Sequence, residues 1–353
     1  MKSVYFCGTS GSGKTAVALG LGLKLRDSGL KISYFKPLSF VRSVGKEPDD
    51  DAVLFCRVFS LPHDPSLLAP VSISPYYQSG AGKGDPAALA ENIRRAFARV
   101  SQNADAVLVE GAASLHHGAS LGLDAASVCR TLDCPLVYLN RPDDDYSLDQ
   151  TIFYNDYLQM AEVRVLGTVL SNVERTLLDK ARGVYAPLLE GRGYRLLGII
   201  PRRPEIAAPT AAEFYEALGG ELLAGKEYLH RPVEDTVVGS MTIESALKYL
   251  RRAANKAVIT GGDRADMALT ALESGTSVLI LTGGLYPDVS VLSRASEKKV
   301  PVILVPFDTF TAIDKLHDIS RRLRYDDEQG IRLAKDNVAQ FCQWQLLLSY
   351  LSD

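Results

Sequence analysis

Gly8-Thr9-Ser10-Gly11-Ser12-Gly13-Lys14-Thr15 decides the fold class of this 353-residue chain. The stretch fits G-x-x-x-x-G-K-[ST] at every fixed position. Its context agrees, with an apolar run (Ser3 to Cys7) before it and a helical stretch (Thr15 to Ser28, with Leu19, Leu23 and Leu25) after it. Small residues let backbone N–H groups curl around phosphate oxygens at a helix N-terminus, where the helix dipole favours anions. Gly8, Thr9, Ser10, Gly11, Ser12, Gly13, Lys14 and Thr15 are therefore assigned to nucleotide binding. Lys14 reaches the β- and γ-phosphates, and the Thr15 hydroxyl is a Mg²⁺ ligand.

Outward from this loop, further apolar runs follow at Lys31 to Phe35, Ala104 to Val109, Pro135 to Leu139, Val163 to Leu170 and Tyr194 to Ile200. They are apolar almost throughout rather than alternating, as parallel strands covered on both faces are. Helical stretches separate them: Pro86 to Ser101, Ala119 to Leu132, Asp145 to Met160 and Glu174 to Gly191. The order predicts an α/β protein with a doubly wound, mostly parallel sheet over residues 1–205. Pro201 to Pro209 is the clearest break in composition and marks a domain boundary. A second, smaller α/β unit is expected over 215–325. Its strands are Thr236 to Val238, Ala257 to Thr260, Ser277 to Leu281 and Val300 to Val305, and Thr242 caps a helix. Residues 330–353 read as one terminal helix, docked on a domain or on a partner subunit.

Composition narrows the function. The 39 basic and 42 acidic residues leave a net charge of -3, which argues against a nucleic-acid backbone or an anionic membrane as partner. No apolar run approaches the roughly 20 residues that span a bilayer. The start of the chain lacks the features of a signal peptide. Five scattered cysteines without a C-x-x-C pair read as reduced thiols. A cytoplasmic protein is expected.

A phosphate loop needs a metal-side carboxylate on a neighbouring strand. Glu110, ending Ala106-Val107-Leu108-Val109-Glu110-Gly111-Ala112, supplies one. The run Asp49-Asp50-Asp51 offers a second through one of its three acids, Asp51 being the weakest choice, or is a solvated helix start. Lys36, in Lys36-Pro37, ends the second strand where ligands bind open α/β sheets, and either neutralises a carboxylate or phosphoryl oxygen or is a solvated loop lysine. Asn172, at another strand end, meets an adenine edge or forms an Asx turn. His116-His117 line the substrate side or a polar loop. In the second half, Thr260-Gly261-Gly262-Asp263 and Thr282-Gly283-Gly284-Leu285 either expose backbone donors to an anion or are structural turns.

The combination of Gly8 to Thr15, Phe35-Lys36-Pro37-Leu38-Ser39, Val109-Glu110-Gly111-Ala112, Leu170-Ser171-Asn172 and Gly198-Ile199-Ile200-Pro201 resembles the dethiobiotin-synthetase-like branch of P-loop proteins. The resemblance implies ATP and Mg²⁺ as cofactors, with Lys14, Lys36 and Glu110 in the reaction centre and Thr15, Asp50 and Glu110 on the metal. Gly262-Asp263-Arg264, Leu281-Thr282-Gly283-Gly284 and Pro306-Phe307-Asp308-Thr309-Phe310-Thr311 resemble the DRTGG domain, an accessory and regulatory module. Together the two look like the N-terminal region of long bacterial phosphotransacetylases. A chain ending at Asp353 is expected not to make acetyl phosphate by itself. Gly11-Ser12 stands where the synthetase loop carries an extra residue and a second threonine. The reading is thus a regulator or slow ATPase, answering to a small carboxylate or a nucleotide effector. The alternatives are a ligase that activates a carboxylate as an acyl phosphate, and a scaffold with structural nucleotide. A homodimer formed through residues from 215 onward is expected.

Overall fold

The computed structural model describes residues 2–40, 48–74, 77–78, 85–206, 208–251, 254–317 and 322–352. The chain forms two compact units. One is Met1–Ile206 together with Leu323–Asp353, and the other is Ala207–Arg322. The second unit is therefore an insertion in the sequence of the first.

In the first unit the strands are β1 (Lys2–Gly8), β2 (Ile32–Phe35), β3 (Leu38–Phe40), β4 (Val71–Ile73), β5 (Ala106–Glu110), β6 (Leu136–Asn140), β7 (Val165–Val173) and β8 (Leu196–Pro201). Six of them make one sheet in the order β2-β5-β1-β6-β7-β8, parallel throughout. The apolar runs of β2, β5 and β6 are buried at every residue, as their lack of alternation requires. β3 and β4 form a separate parallel pair beyond Lys36, too short to stand out as apolar runs.

Helix α1 (Lys14–Asp27) is buried on nearly all sides, from Val17 to Leu23 without interruption. A helix apolar all round must be covered on both faces. The sheet covers one, and the helix Glu328–Phe341 covers the other. The two helices meet closely because Gly20 has no side chain: a Cβ there would stand 2.4 Å from the Ala334 carbonyl oxygen. Lys335 pairs with Asp27 at 2.6 Å, and Lys24 Nζ lies 4.7 Å over the Trp344 ring.

The terminal segment departs from the single helix expected. It is two helices, Glu328–Phe341 and Trp344–Ser352. Cys342 is extended between them and bridges to Gly198, and the Gln343 amide donates to the Leu197 carbonyl at 2.7 Å. The break lets the chain satisfy backbone groups along β8, an edge strand otherwise open to pairing. The expected helix Glu174 to Gly191 starts as a 3₁₀ turn (Arg175–Leu177) and contains a π turn at Ala181–Tyr185. Pro187 lacks the N–H that an α-helix would direct to the Gly183 carbonyl. The expected helix from Ala119 is regular only over Ala125–Leu132, where Asp124 accepts from the Ala126 and Ser127 amides.

The second unit has β9 (Glu221–Ala224), β10 (Asp235–Val238), β11 (Lys256–Gly261), β12 (Thr276–Thr282) and β13 (Val302–Leu304), ordered β10-β11-β12-β13-β9. All pairs are parallel except the edge strand β9, which was not expected in its Gly-rich surroundings. Separate apolar clusters cover the two faces, one around Met267, Leu272 and Val291, the other around Phe214, Ile259 and Ile303. Among the described residues no helix is long and apolar enough to cross a membrane.

The α1 contact predicts that Gly20→Ala lowers the unfolding free energy by about 1–3 kcal/mol, because the obstacle is backbone and cannot rotate away. Gly183→Ala, with open space around it, is expected to be neutral or stabilising by up to about 1 kcal/mol. Urea denaturation of the two variants checks both.

Candidate functional site

The strands being parallel, β1, β2, β5, β6 and β7 all deliver their carboxyl ends to one edge, and the sequence-expected residues meet there. The loop leaves β1 at Gly8, where a Cβ would stand 1.8 Å from the Leu139 carbonyl oxygen. Gly11 and Gly13 take φ of 71° and 73°, a left-handed conformation that turns the loop into α1. Ser12 Oγ and Lys14 Nζ both donate to the Thr9 carbonyl, at 2.7 and 3.0 Å. Ser12 and Lys14 are buried, whereas Ser10 and Gly11 are exposed at the crown. Burial lowers the Lys14 ammonium, with Glu110 pulling against it.

Two asparagines brace the loop. Thr9 Oγ1 donates to Asn140 Oδ1 at 3.2 Å, and Asn140 Nδ2 donates to the Ser147 carbonyl at 3.0 Å. Asn172, with φ of 58°, donates from Nδ2 to the Gly11 carbonyl at 2.9 Å. Its amide thus fixes the phosphate loop in this structure, a role neither of the sequence readings contained.

Glu110 closes β5 and is 3% exposed. Its Oε1 accepts from Thr15 Oγ1 at 2.7 Å and its Oε2 from the Tyr34 hydroxyl at 3.0 Å. Tyr34 is itself buried on β2 and stacks on Phe55, ring centroids 3.8 Å apart. Burial pushes the Glu110 carboxyl up to about 7. Asp51 adds to this, while Lys36, Thr15 and Lys14 oppose it.

Lys36 follows β2 and is enclosed by acid. Its Nζ lies 2.9 Å from Asp49 and 2.5 Å from Asp51. Burial alone would lower this ammonium, but Asp51, Asp49 and Glu110 outweigh burial and raise it. Asp49 caps helix α2 (Asp50–Phe59) by accepting from the Asp51 and Ala52 amides, and also accepts from the Ser39 hydroxyl. Burial favours its neutral form, yet Lys36 and Ser39 hold it below the usual carboxylate range. Asp50, the acid expected at the metal, is instead exposed at the first helical residue. The cap geometry brings Asp49 together with Asp51 on Lys36. Among the described residues no group of three or more His, Cys, Asp or Glu could hold a metal by itself.

Sequence reading missed Tyr34, Asn140 and the Asp49–Lys36–Asp51 cluster. A tyrosine inside a fully buried strand signals a hydroxyl needing a partner, and was the available clue. On the loop after β5, Ser114 Oγ lies 2.9 Å from His117 Nδ1 and 3.3 Å from His116 Nε2. The His117 ring packs 4.5 Å from Phe40.

In the second unit the paired-glycine turns do not offer their amides to an anion. The Gly262, Gly283 and Gly284 amides donate to the carbonyls of Thr282, Phe307 and Val305. A Cβ on Gly262 would stand 1.8 Å from the Leu285 carbonyl oxygen. These three amides are used as in structural turns, and the Gly262 backbone packs against Leu285.

A loop of this geometry on a parallel sheet defines a P-loop protein. The AAA domain model (AAA_26) matches residues 3–210, more than half of the chain, and the chain belongs to that family. A DRTGG domain model matches residues 213–319, so the pairing of modules seen in the motifs is present. Phosphate acetyltransferase of Pseudomonas putida is 27% identical over 345 residues, covering 93% of this chain and 49% of that protein. The Pseudomonas aeruginosa phosphate acetyltransferase is 24% identical over 361 residues, covering 96% and 50%. The chain therefore spans about half the length of these curated relatives and corresponds to the N-terminal region of the long phosphotransacetylases. Among solved structures, the CBS and DRTGG domains of the regulatory region of Clostridium perfringens pyrophosphatase match with a TM-score of 0.29 and 20% identity, covering 45% of this chain and 82% of that one.

The buried carboxyl gives a pH test. Between its ordinary value of 4.5 and about 7, folded Glu110 keeps a proton that the unfolded chain releases. Its contribution to stability is thus full below about 4.5 and is lost as pH rises through about 7, by on the order of 3 kcal/mol. Urea denaturation without nucleotide should show stability falling between about pH 4.5 and 7 and levelling off above that. Glu110→Gln should flatten that dependence.

Proposed function

We propose that the chain is a cytoplasmic, ATP- and Mg²⁺-binding regulator, or slow ATPase, in which nucleotide at the first unit changes the behaviour of the DRTGG unit. One observation carries the reading: the Thr15 hydroxyl and the Glu110 carboxylate, 2.7 Å apart, stand beside the buried Lys14 at a helix N-terminus. Lys14 supplies a cation at the loop, and the Thr15 hydroxyl and the Glu110 carboxyl group supply hard oxygen groups at its edge. Mg²⁺ keeps several waters and takes only one or two protein ligands along with phosphate oxygens, and this donor set fits it. Thr15 would hold the ion directly and Glu110 through water, while Lys14 neutralises the β- and γ-phosphates. The ion supplies charge neutralisation across those phosphates. Asp51 stands beside Lys36, whereas Asp50 is exposed.

The ligase reading needs Lys36 to receive a carboxylate substrate. In this structure Lys36 already meets two carboxylates, and a third would face their repulsion. That contact favours the regulator, with a nucleotide effector ahead of a carboxylate.

Lys14→Ala should weaken Mg-ATP binding by about 2–3 kcal/mol, read by titration calorimetry, with the fold unchanged. Hydrogen exchange around residues 282–284 should respond to Mg-ATP in the unaltered chain and not in Lys14→Ala. An unresponsive second unit would favour a structural nucleotide. Carboxylate-stimulated ATP cleavage abolished by Lys36→Ala would establish the ligase instead.

A further inference from the structure

The loop after β5 gathers groups that nucleotide binding leaves unused. The Ala125 amide donates to the Leu115 carbonyl at 2.9 Å, and Leu115 is buried. A Cβ on Gly118 would stand 2.9 Å from Leu38 Cδ2. The backbone is therefore pinned on both sides of His116-His117. Ser114 Oγ meets both rings, 2.9 Å from His117 Nδ1 and 3.3 Å from His116 Nε2. A hydroxyl has one proton to give. The shorter contact assigns it to His117 Nδ1, and His116 Nε2–H then donates to Oγ. Phe40 packs against the His117 ring and holds it in place. A serine hydrogen-bonded to an oriented imidazole is the pairing of a nucleophile with its general base. Burial, His116 and Lys14 all lower the His117 imidazolium, so the ring is neutral at pH 7 and free to take a proton.

Position matters as much as the pair. Ser114 is four residues beyond Glu110, whose carboxyl meets Thr15 at 2.7 Å. Four residues reach at most about 14 Å, and the charge of Lys14 is felt at the His117 ring. The serine thus stands at the same sheet edge as the phosphate loop. Other hydroxyls of this edge are committed to structural partners: Thr9 to Asn140, Ser12 to the Thr9 carbonyl, Thr15 to Glu110 and Ser39 to Asp49. We propose that Ser114 is a phosphoryl acceptor, taking the γ-phosphoryl group of ATP bound at Gly8 to Thr15 with His117 as general base. The inference rests on the nucleotide reading above. The bond from Oγ to the γ-phosphorus forms as the bond from that phosphorus to the β,γ-bridging oxygen breaks. The serine proton passes to His117 Nδ1. The electron pair of the broken bond leaves with ADP, where Lys14 meets the charge. The products are ADP and a phosphoserine on the chain itself.

Incubating the full chain with Mg-ATP should add one phosphoryl group at Ser114, located by peptide mass spectrometry and stable to acid as a serine ester is. Ser114→Ala should abolish the modification. His117→Asn keeps a hydrogen-bond acceptor and loses the base, and should slow the modification at least about a hundredfold, with circular dichroism checking the fold of both variants. Titration calorimetry of the unaltered chain with a non-hydrolysable ATP analogue separates the two readings. Binding without phosphoserine overturns this inference alone, and no binding overturns the nucleotide reading with it. Phosphate on a histidine, lost in acid, or an unchanged rate in folded His117→Asn also overturns it.

Discussion

A carboxyl group taken out of water must be met by donors or keep its proton, and Glu110 does both by degrees. Thr15 and Tyr34 satisfy its oxygens, and burial holds its proton near neutrality. Around it stand two cations, Lys14 and Lys36, and two carboxylates, Asp49 and Asp51. With Glu110 protonated this set balances; with Glu110 ionised it carries one excess negative charge. The parallel sheet serves this cluster, since only strands running the same way bring Gly8, Lys36 and Glu110 to one edge. Removing one partner of a buried ion pair such as Lys36–Asp49 would cost several kcal/mol, because the other charge stays behind unpaired.

The main sheet was legible because its strands are buried on both faces and write that fact as uninterrupted apolar runs. β3, β4 and β9 were not. Three or four residues long, they depend on neighbours in space rather than on their own pattern. The same holds for the site. Gly8 to Thr15 and Glu110 could be read from local sequence, because a phosphate loop is a contiguous backbone shape. Which of Asp49, Asp50 and Asp51 turns inward could not, because a helix cap decides it. Nor could the amide of Asn172 on the Gly11 carbonyl, which joins positions 161 residues apart.

Glycines illustrate the same division. Gly11 and Gly13 are required by their own backbone angles, whereas Gly20 and Gly262 are required by carbonyl groups of other segments. In the DRTGG motif both kinds occur: Gly283 and Gly284 take positive φ, whereas Gly262 faces the Leu285 carbonyl. Its Gly-Gly pairs lie at the carboxyl edge of the sheet, and the amides of Gly262, Gly283 and Gly284 are taken there by backbone carbonyls.

The insertion has a consequence in time. Helix α1, which carries Lys14 and Thr15, is finished only when Glu328–Phe341 arrives to cover it. On the ribosome, the whole of Ala207–Arg322 must be made in between. The roughly 300 residues from Asp27 to Glu328, made at about 5–20 residues per second, leave the apolar back of α1 bare for about 15–60 s. The nascent chain thus passes through an interval in which its phosphate loop is already synthesised but its supporting helix is a chaperone's natural target.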